Sequence, residues 1–195
     1  MRVGLTHVQA AALGGCFAML FTAGARADEG MWTFNHFPSA KVQEAYGFDP
    51  TPQWLDHIRA ASLRLPRGCS ASFVSATGLV QTNHHCARDC LQQLSSATRN
   101  LVEEGFYAAR PEDEVKCPDV EANQLLGITD VTPQVKEAVA GRDGADYSRA
   151  LRETLAKLQR DCAGGDEAIR CDVVELYRGS IDDVYEYRRY QDVRL

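Results

Sequence analysis

Apolar positions recur along the chain with two periods: spacings of three and four that mark helices, and alternation that marks strands. Pro38-Ser39 opens a short helix that Gly47 would stop, because Ser caps a helix start and Gly tolerates the left-handed conformation that ends one. A second helix begins at Thr51-Pro52 and runs to about Ala61, with Trp54, Leu55 and Ile58 on one face. After Arg67-Gly68 the period shortens. Cys69 to Val74 and Gly78 to Thr82 read as strands joined by the turn Ser75-Ala76-Thr77-Gly78, and His84-His85-Cys86 falls just past the second of them. Ser95 to Gly105 reads as a loop or short helix, Val120 to Val131 holds a strand centred on Leu125-Leu126-Gly127-Ile128, and Thr132-Pro133 caps another short helix. Asp146 to Cys162 carries Ala150, Leu151, Leu155 and Leu158 at helical spacing and ends at Gly164-Gly165. Two strands close the pattern, Ile169 to Tyr177 and Val184 to Leu195, the latter alternating through Tyr187, Arg189, Gln191, Val193 and Leu195. No repeat or linker divides these elements, which predicts one α+β domain, mainly β with flanking helices.

Upstream the pattern differs. Val8 to Thr22 is apolar apart from Gln9, follows a basic start at Arg2, and gives way to Ala25-Arg26-Ala27, an A-x-A cleavage pattern. Residues 1–27 thus read as an export signal and 28–195 as the mature chain, periplasmic or secreted in a bacterium. A membrane-spanning helix is the competing reading, but the strongly apolar part is shorter than the ~20 residues a span needs, and Gly14-Gly15 weakens it. Leu13-Gly14-Gly15-Cys16 resembles a lipoprotein lipobox, yet the apolar run continues through Phe17 to Phe21, where a lipobox would end it. No stable membrane insertion is expected.

Composition adds exclusions. With 45% hydrophobic and 25% charged residues the chain is an ordinary globular one, so wholesale disorder is excluded. Lys and Arg number 21 against 27 Asp and Glu, and the basic residues are scattered, so nucleic acid is not an expected partner. One of the seven cysteines, Cys16, lies within 1–27. The remaining six, Cys69, Cys86, Cys90, Cys117, Cys162 and Cys171, are an even set in an exported chain and predict three disulfides. Spacing alone does not choose among their pairings.

Chemistry concentrates between Cys69 and Cys86. A strand, a tight turn, and a second strand ending Thr82-Asn83-His84-His85-Cys86 resemble the His-bearing corner of chymotrypsin-type serine peptidases, where the triad His precedes a half-cystine paired back to the preceding strand. A general base must be held within hydrogen-bond reach of a serine hydroxyl, and a disulfide beside it stiffens the turn that aims the ring. By position His85 takes that role and Cys69 reaches Cys86. His84 is then a structural neighbour with its ring on the backbone.

A closer resemblance covers most of the chain. Asp28-Glu29-Gly30-Met31-Trp32, Gly68-Cys69-Ser70, Gly78-Leu79-Val80, the Thr82–Cys86 string, Glu104-Gly105-Phe106-Tyr107-Ala108, Ile128-Thr129-Asp130-Val131-Thr132 and Tyr187 to Leu195 are similar, in order, to the N-terminal part of bacterial serine dipeptidyl-peptidases of the seven and eleven type. The resemblance implies a chymotrypsin-like double β-barrel, of which this chain holds the first lobe, incomplete, and a helical cap that it lacks. It implies release of dipeptides from free N-termini of peptide substrates, His85 as the triad base, no cofactor and no metal, and it allows a homodimer. Under it the expected disulfides are Cys69–Cys86, Cys90–Cys117 and Cys162–Cys171.

The same resemblance places the catalytic Asp and Ser downstream of Leu195, so the chain is expected to be an N-terminal fragment, inactive alone. Asp130 follows His85 at a chymotrypsin-like spacing, but the matching Ile-Thr-Asp-Val-Thr stretch is not the family's catalytic acid, and Asp130 reads as a helix-entry residue. Neither Gly-Asp-Ser-Gly nor Gly-x-Ser-x-Gly occurs, and Gly179-Ser180-Ile181 lacks the flanking Gly. Two readings compete. Zinc could be held by His84, His85, Cys86 and Cys90 with Cys69 or Cys117, although no Cys-x-x-Cys knuckle occurs. A non-catalytic secreted binding module could present Trp32, Trp54 and the C-terminal tyrosines. A cysteine peptidase is weaker, since Cys86 adjoins His85 in sequence. The alternating end at Leu195 is expected to leave an unpaired edge.

Overall fold

Strand pairing among the described residues is wholly antiparallel, as expected when strands follow one another through turns and short helices. The computed structural model describes residues 30–195; the export-signal, cleavage-site and lipobox readings lie outside the described residues. The first two helices form where they were read, although Ser39 is the first helical residue of its helix rather than the cap, and its hydroxyl donates to the Pro50 carbonyl at 3.4 Å. α1 (Ser39–Tyr46) stops at Gly47, whose positive φ of 66° lets its N–H reach the Gln43 carbonyl at 2.9 Å. α2 (Pro52–Ala61) starts with Pro52 in its first turn and with Thr51 Oγ1 accepting from the Trp54 N–H at 3.2 Å.

From α2 the chain passes directly into β1 (Ser62–Arg64), a strand too short for alternation to reveal. The hairpin β2 (Ser70–Phe73) and β3 (Val80–Thr82) follows, then α3 (His84–Leu94) and α4 (Leu101–Glu104). β4 (Ala122–Asp130) leads into α5 (Thr132–Val139) and α6 (Gly144–Ala163), and the chain closes with β5 (Ile169–Leu176) and β6 (Ile181–Tyr190). The sheet order is β3-β2-β1-β4-β6-β5. The α+β class is as expected, but the sheet is open, with β3 and β5 at its edges, so the barrel expected from the resemblance is not closed in this chain.

Two small cores fill the fold. Val131, Val135, Cys171 and Val184 are buried beneath Leu151, Leu155 and Leu158 of α6, which seats α5 and α6 on β5 and β6. Leu63, Leu65 and Ala122 form the second, packed by Phe73, Val80, Val193 and the Cys69 and Cys86 pair. That second core underlies the His85 corner.

Three expectations change. α3 is an 11-residue helix where the sequence reading saw only the end of a strand. Its helical period is carried by Cys86, Cys90, Leu91 and Leu94, two of them cysteines read for their chemistry rather than their burial. The last strand ends at Tyr190 rather than Leu195, because β4 starts at Ala122, opposite Tyr190, and offers no partner further on. Residues 193–195 pair instead with 115–117: the Cys117 N–H donates to the Val193 carbonyl at 2.8 Å, and Val115 and Leu195 exchange two further bonds. The terminal residues are therefore paired and not the free edge expected. Finally, Arg189, read only as one position of the alternating last strand, is tied to Glu121 at 2.6 Å.

Candidate active site

The three cysteine pairs stand at disulfide distance as Cys69–Cys86, Cys90–Cys117 and Cys162–Cys171, with Cα separations of 6.1, 5.2 and 6.1 Å. The first sets the geometry around His85. Cys69 follows a tight turn, Pro66–Gly68, in which Arg67 (φ 61°) and Gly68 (φ 81°) both adopt left-handed backbone, and the Leu65 N–H closes the turn on the Cys69 carbonyl at 2.8 Å. Left-handed φ is natural for Gly and unusual for Arg, which marks Arg67 as held there by its surroundings. Opposite, Asn83 caps α3 in extended backbone and the Cys86 N–H reaches the Asn83 carbonyl at 3.0 Å. His85 is the second residue of α3, and its imidazole is exposed.

These elements enclose an open depression of about 440 Å³. The turn contributes Arg67, Gly68, Cys69 and Ser70, and α3 contributes Asn83, His85, Cys86 and Asp89. Asp89 lies one helical turn after His85, on the same face, and its carboxylate accepts from the Arg67 guanidinium across the mouth. The depression thus combines an exposed imidazole, a rigid sulfur wall and a fixed pair of opposite charges. It can hold a polar chain beside a base.

Among the described residues no hydroxyl or carboxylate hydrogen-bonds the His85 ring. Ser70 lines the same depression, but the bond recorded there is to its backbone carbonyl, from Thr82 Oγ1 at 2.8 Å. Asp130 accepts from the Thr132 N–H at 2.8 Å, the helix-entry role expected, and that bonding with Thr132 holds its carboxyl below the usual range. It also sits at the last position of β4, next to α5, and does not line the depression. His84, expected to bond the backbone, is exposed, and its ring has no hydrogen bond among the described residues. The helix explains this: one residue earlier than His85, His84 points away from the turn.

Ligand atoms of Cys69, His85 and Cys86 lie within 4.8 Å of one another, the cluster a zinc reading would need. The two sulfurs are bonded to each other, and Cys90 to Cys117, so the thiolates that tetrahedral zinc takes up are not offered.

The Peptidase S46 family matches residues 27–195. The chain belongs to the peptidase S46 family. Among S46 relatives it is 28% identical to dipeptidyl-peptidase 7 of Porphyromonas endodontalis, a match covering 88% of this chain and 22% of the relative. It is 30% identical to an Asp/Glu-specific dipeptidyl-peptidase of Porphyromonas gingivalis, covering 91% of this chain and 26% of that one. The crystal structure of Porphyromonas endodontalis DPP11 superposes with a TM-score of 0.70 at 26% identity, over 87% of this chain and 25% of that chain. The chain spans about a quarter of the length of the S46 relatives it matches.

Sequence reasoning singled out His85 and the cysteines but passed over Arg67, Asn83 and Asp89. Asp89 was recoverable, since it sits four residues after His85, but only once that stretch is recognised as helical. Arg67 carried no signal, because its left-handed backbone is visible only in the fold.

Proposed function

We propose that this chain supplies the His-bearing lobe of an exported serine dipeptidyl-peptidase, with His85 as general base. The observation that supports it most is the exposed imidazole on the first turn of α3, braced by Cys69–Cys86 in an open depression, on a fold shared with a dipeptidyl-peptidase over 87% of the chain. In the reaction His85 takes the proton of a serine hydroxyl as that oxygen attacks the carbonyl of the second peptide bond. It then returns the proton to the leaving amine, so the dipeptide stays as an ester until water releases it. The serine, the acid that orients His85 and the group that holds the substrate's N-terminal amine come from polypeptide other than this chain, which is therefore inactive alone.

The test compares residues 28–195 with the product of the complete reading frame on dipeptidyl arylamides, with the N-terminal amine free and blocked. Turnover is expected only from the longer protein and only with the amine free, and His85→Ala should lower kcat by about 10⁴-fold or more. Activity of 28–195 by itself, or indifference to blocking, would overturn the reading.

A further inference from the structure

A second depression adjoins the one at His85. It has a volume of about 220 Å³ and shares Arg67 and Gly68 with the first, so the two depressions adjoin at that turn. Gly68 lines both, and a Cβ built there would meet nothing within 4 Å, so the space beside it is open. The far part is lined by Arg64, Arg170, Glu121 and Asn123.

Its charge is not balanced. Arg64 Nη1 and Arg170 Nη2 both donate to the same Asp172 oxygen, at 3.0 and 3.1 Å, so two guanidiniums share one carboxylate. Glu121 is taken up by Arg189 and Arg67 by Asp89, which leaves one positive charge in surplus.

We infer that this second depression receives the part of the substrate that follows the scissile bond, with a carboxylate of that segment held at Arg64 and Arg170. The direction follows from the reaction under Proposed function, on which this inference rests. The leaving nitrogen takes its proton from His85 and must lie within hydrogen-bond reach of that ring, so the chain beyond it departs over the lobe that carries His85. That segment can carry a carboxylate as a free C-terminus or as an acidic side chain.

The test uses the complete enzyme and kcat/KM for three sets of peptides, three to six residues long. One set ends in a free carboxylate, one is amidated, and one is amidated with Glu after the scissile bond. Dipeptidyl arylamides, which have no peptide on the leaving side, serve as the reference. At some length the free acid, the Glu peptide or both should exceed the plain amide by about 10-fold, the scale of a charge-assisted contact. Which of the two does so identifies the source of the carboxylate. Arg64→Met should bring that ratio close to one, Arg64→Lys should restore part of it, and raised salt should lower it. Equal rates for all three sets at every length, in an enzyme that cleaves arylamides, would overturn the inference alone. So would an Arg64→Met loss as large for arylamides as for acids. Absence of arylamide turnover would instead defeat the catalytic reading beneath it.

Discussion

Tyr185 on β6 lies in offset contact with Tyr187, ring centroids 6.3 Å apart and planes 26° from parallel. Burial, reinforced by the charge of Asp183, pushes its hydroxyl up to about 12 from the ordinary 10. The unfolded chain therefore loses this proton near pH 10 while the folded chain keeps it. Tyr185 contributes stability that is complete below pH 10 and is lost as pH rises toward 12. Tyr185→Phe, which has no proton to lose, should show a shallower fall of the urea midpoint across that window. A fall as steep as that of the unaltered protein would refute it. Asp183 itself is fully buried, with Asn35 donating to one carboxylate oxygen at 3.2 Å. Nothing in the local sequence marks Asp183 for burial. Its burial depends on the 3₁₀ turn Phe34–His36 carrying Asn35 to it from 148 positions away, a contact no local pattern reports.

At the scale of elements, capping chemistry was the most legible feature. Thr51-Pro52, Gly47 and Gly164 mark helix ends through local backbone preferences, so short windows reveal them. β1 and α3 were not legible, for different reasons. β1 has three residues and owes its existence to pairing with β2 and β4. α3 hides its apolar face in cysteines, and Cys90 proves to be among the most buried side chains in the fold, at 1% exposed, with Cys117 at 3%. Their bond links α3 to the 115–117 segment across 27 positions. Replacing both with Ala should lower unfolding free energy by about 2–5 kcal/mol, read by urea denaturation, and the loss should exceed that for Cys162 and Cys171, which close a loop of only nine positions. A smaller loss at Cys90 and Cys117 than at the short loop would contradict the argument.

Across the whole molecule, charge pairs join segments that the sheet brings together. Arg189 of β6 donates to Glu121, just ahead of β4, at 2.8 and 2.6 Å, and this bond holds the Glu121 carboxyl below its ordinary value of 4.5 despite the opposing effect of burial. A lowered carboxyl contributes stability at neutral pH that is lost as pH falls below 4.5 and through the folded value. Glu121→Gln should therefore denature at lower urea than the unaltered protein at pH 7, with the gap narrowing as pH falls below 4.5; a gap that does not narrow in acid would exclude this origin. The α+β class was legible because it follows from the order of elements. The open sheet and the depression beside His85 were not, since they arise from turns and residues far apart in sequence. One consequence concerns α3. Cys86 and Cys90 lie four residues apart, on one face of that helix, and each is bonded to a different segment. Two covalent anchors along one line remove the roll of a helix about its own axis. The direction in which His85 points is then left to its two side-chain torsions alone.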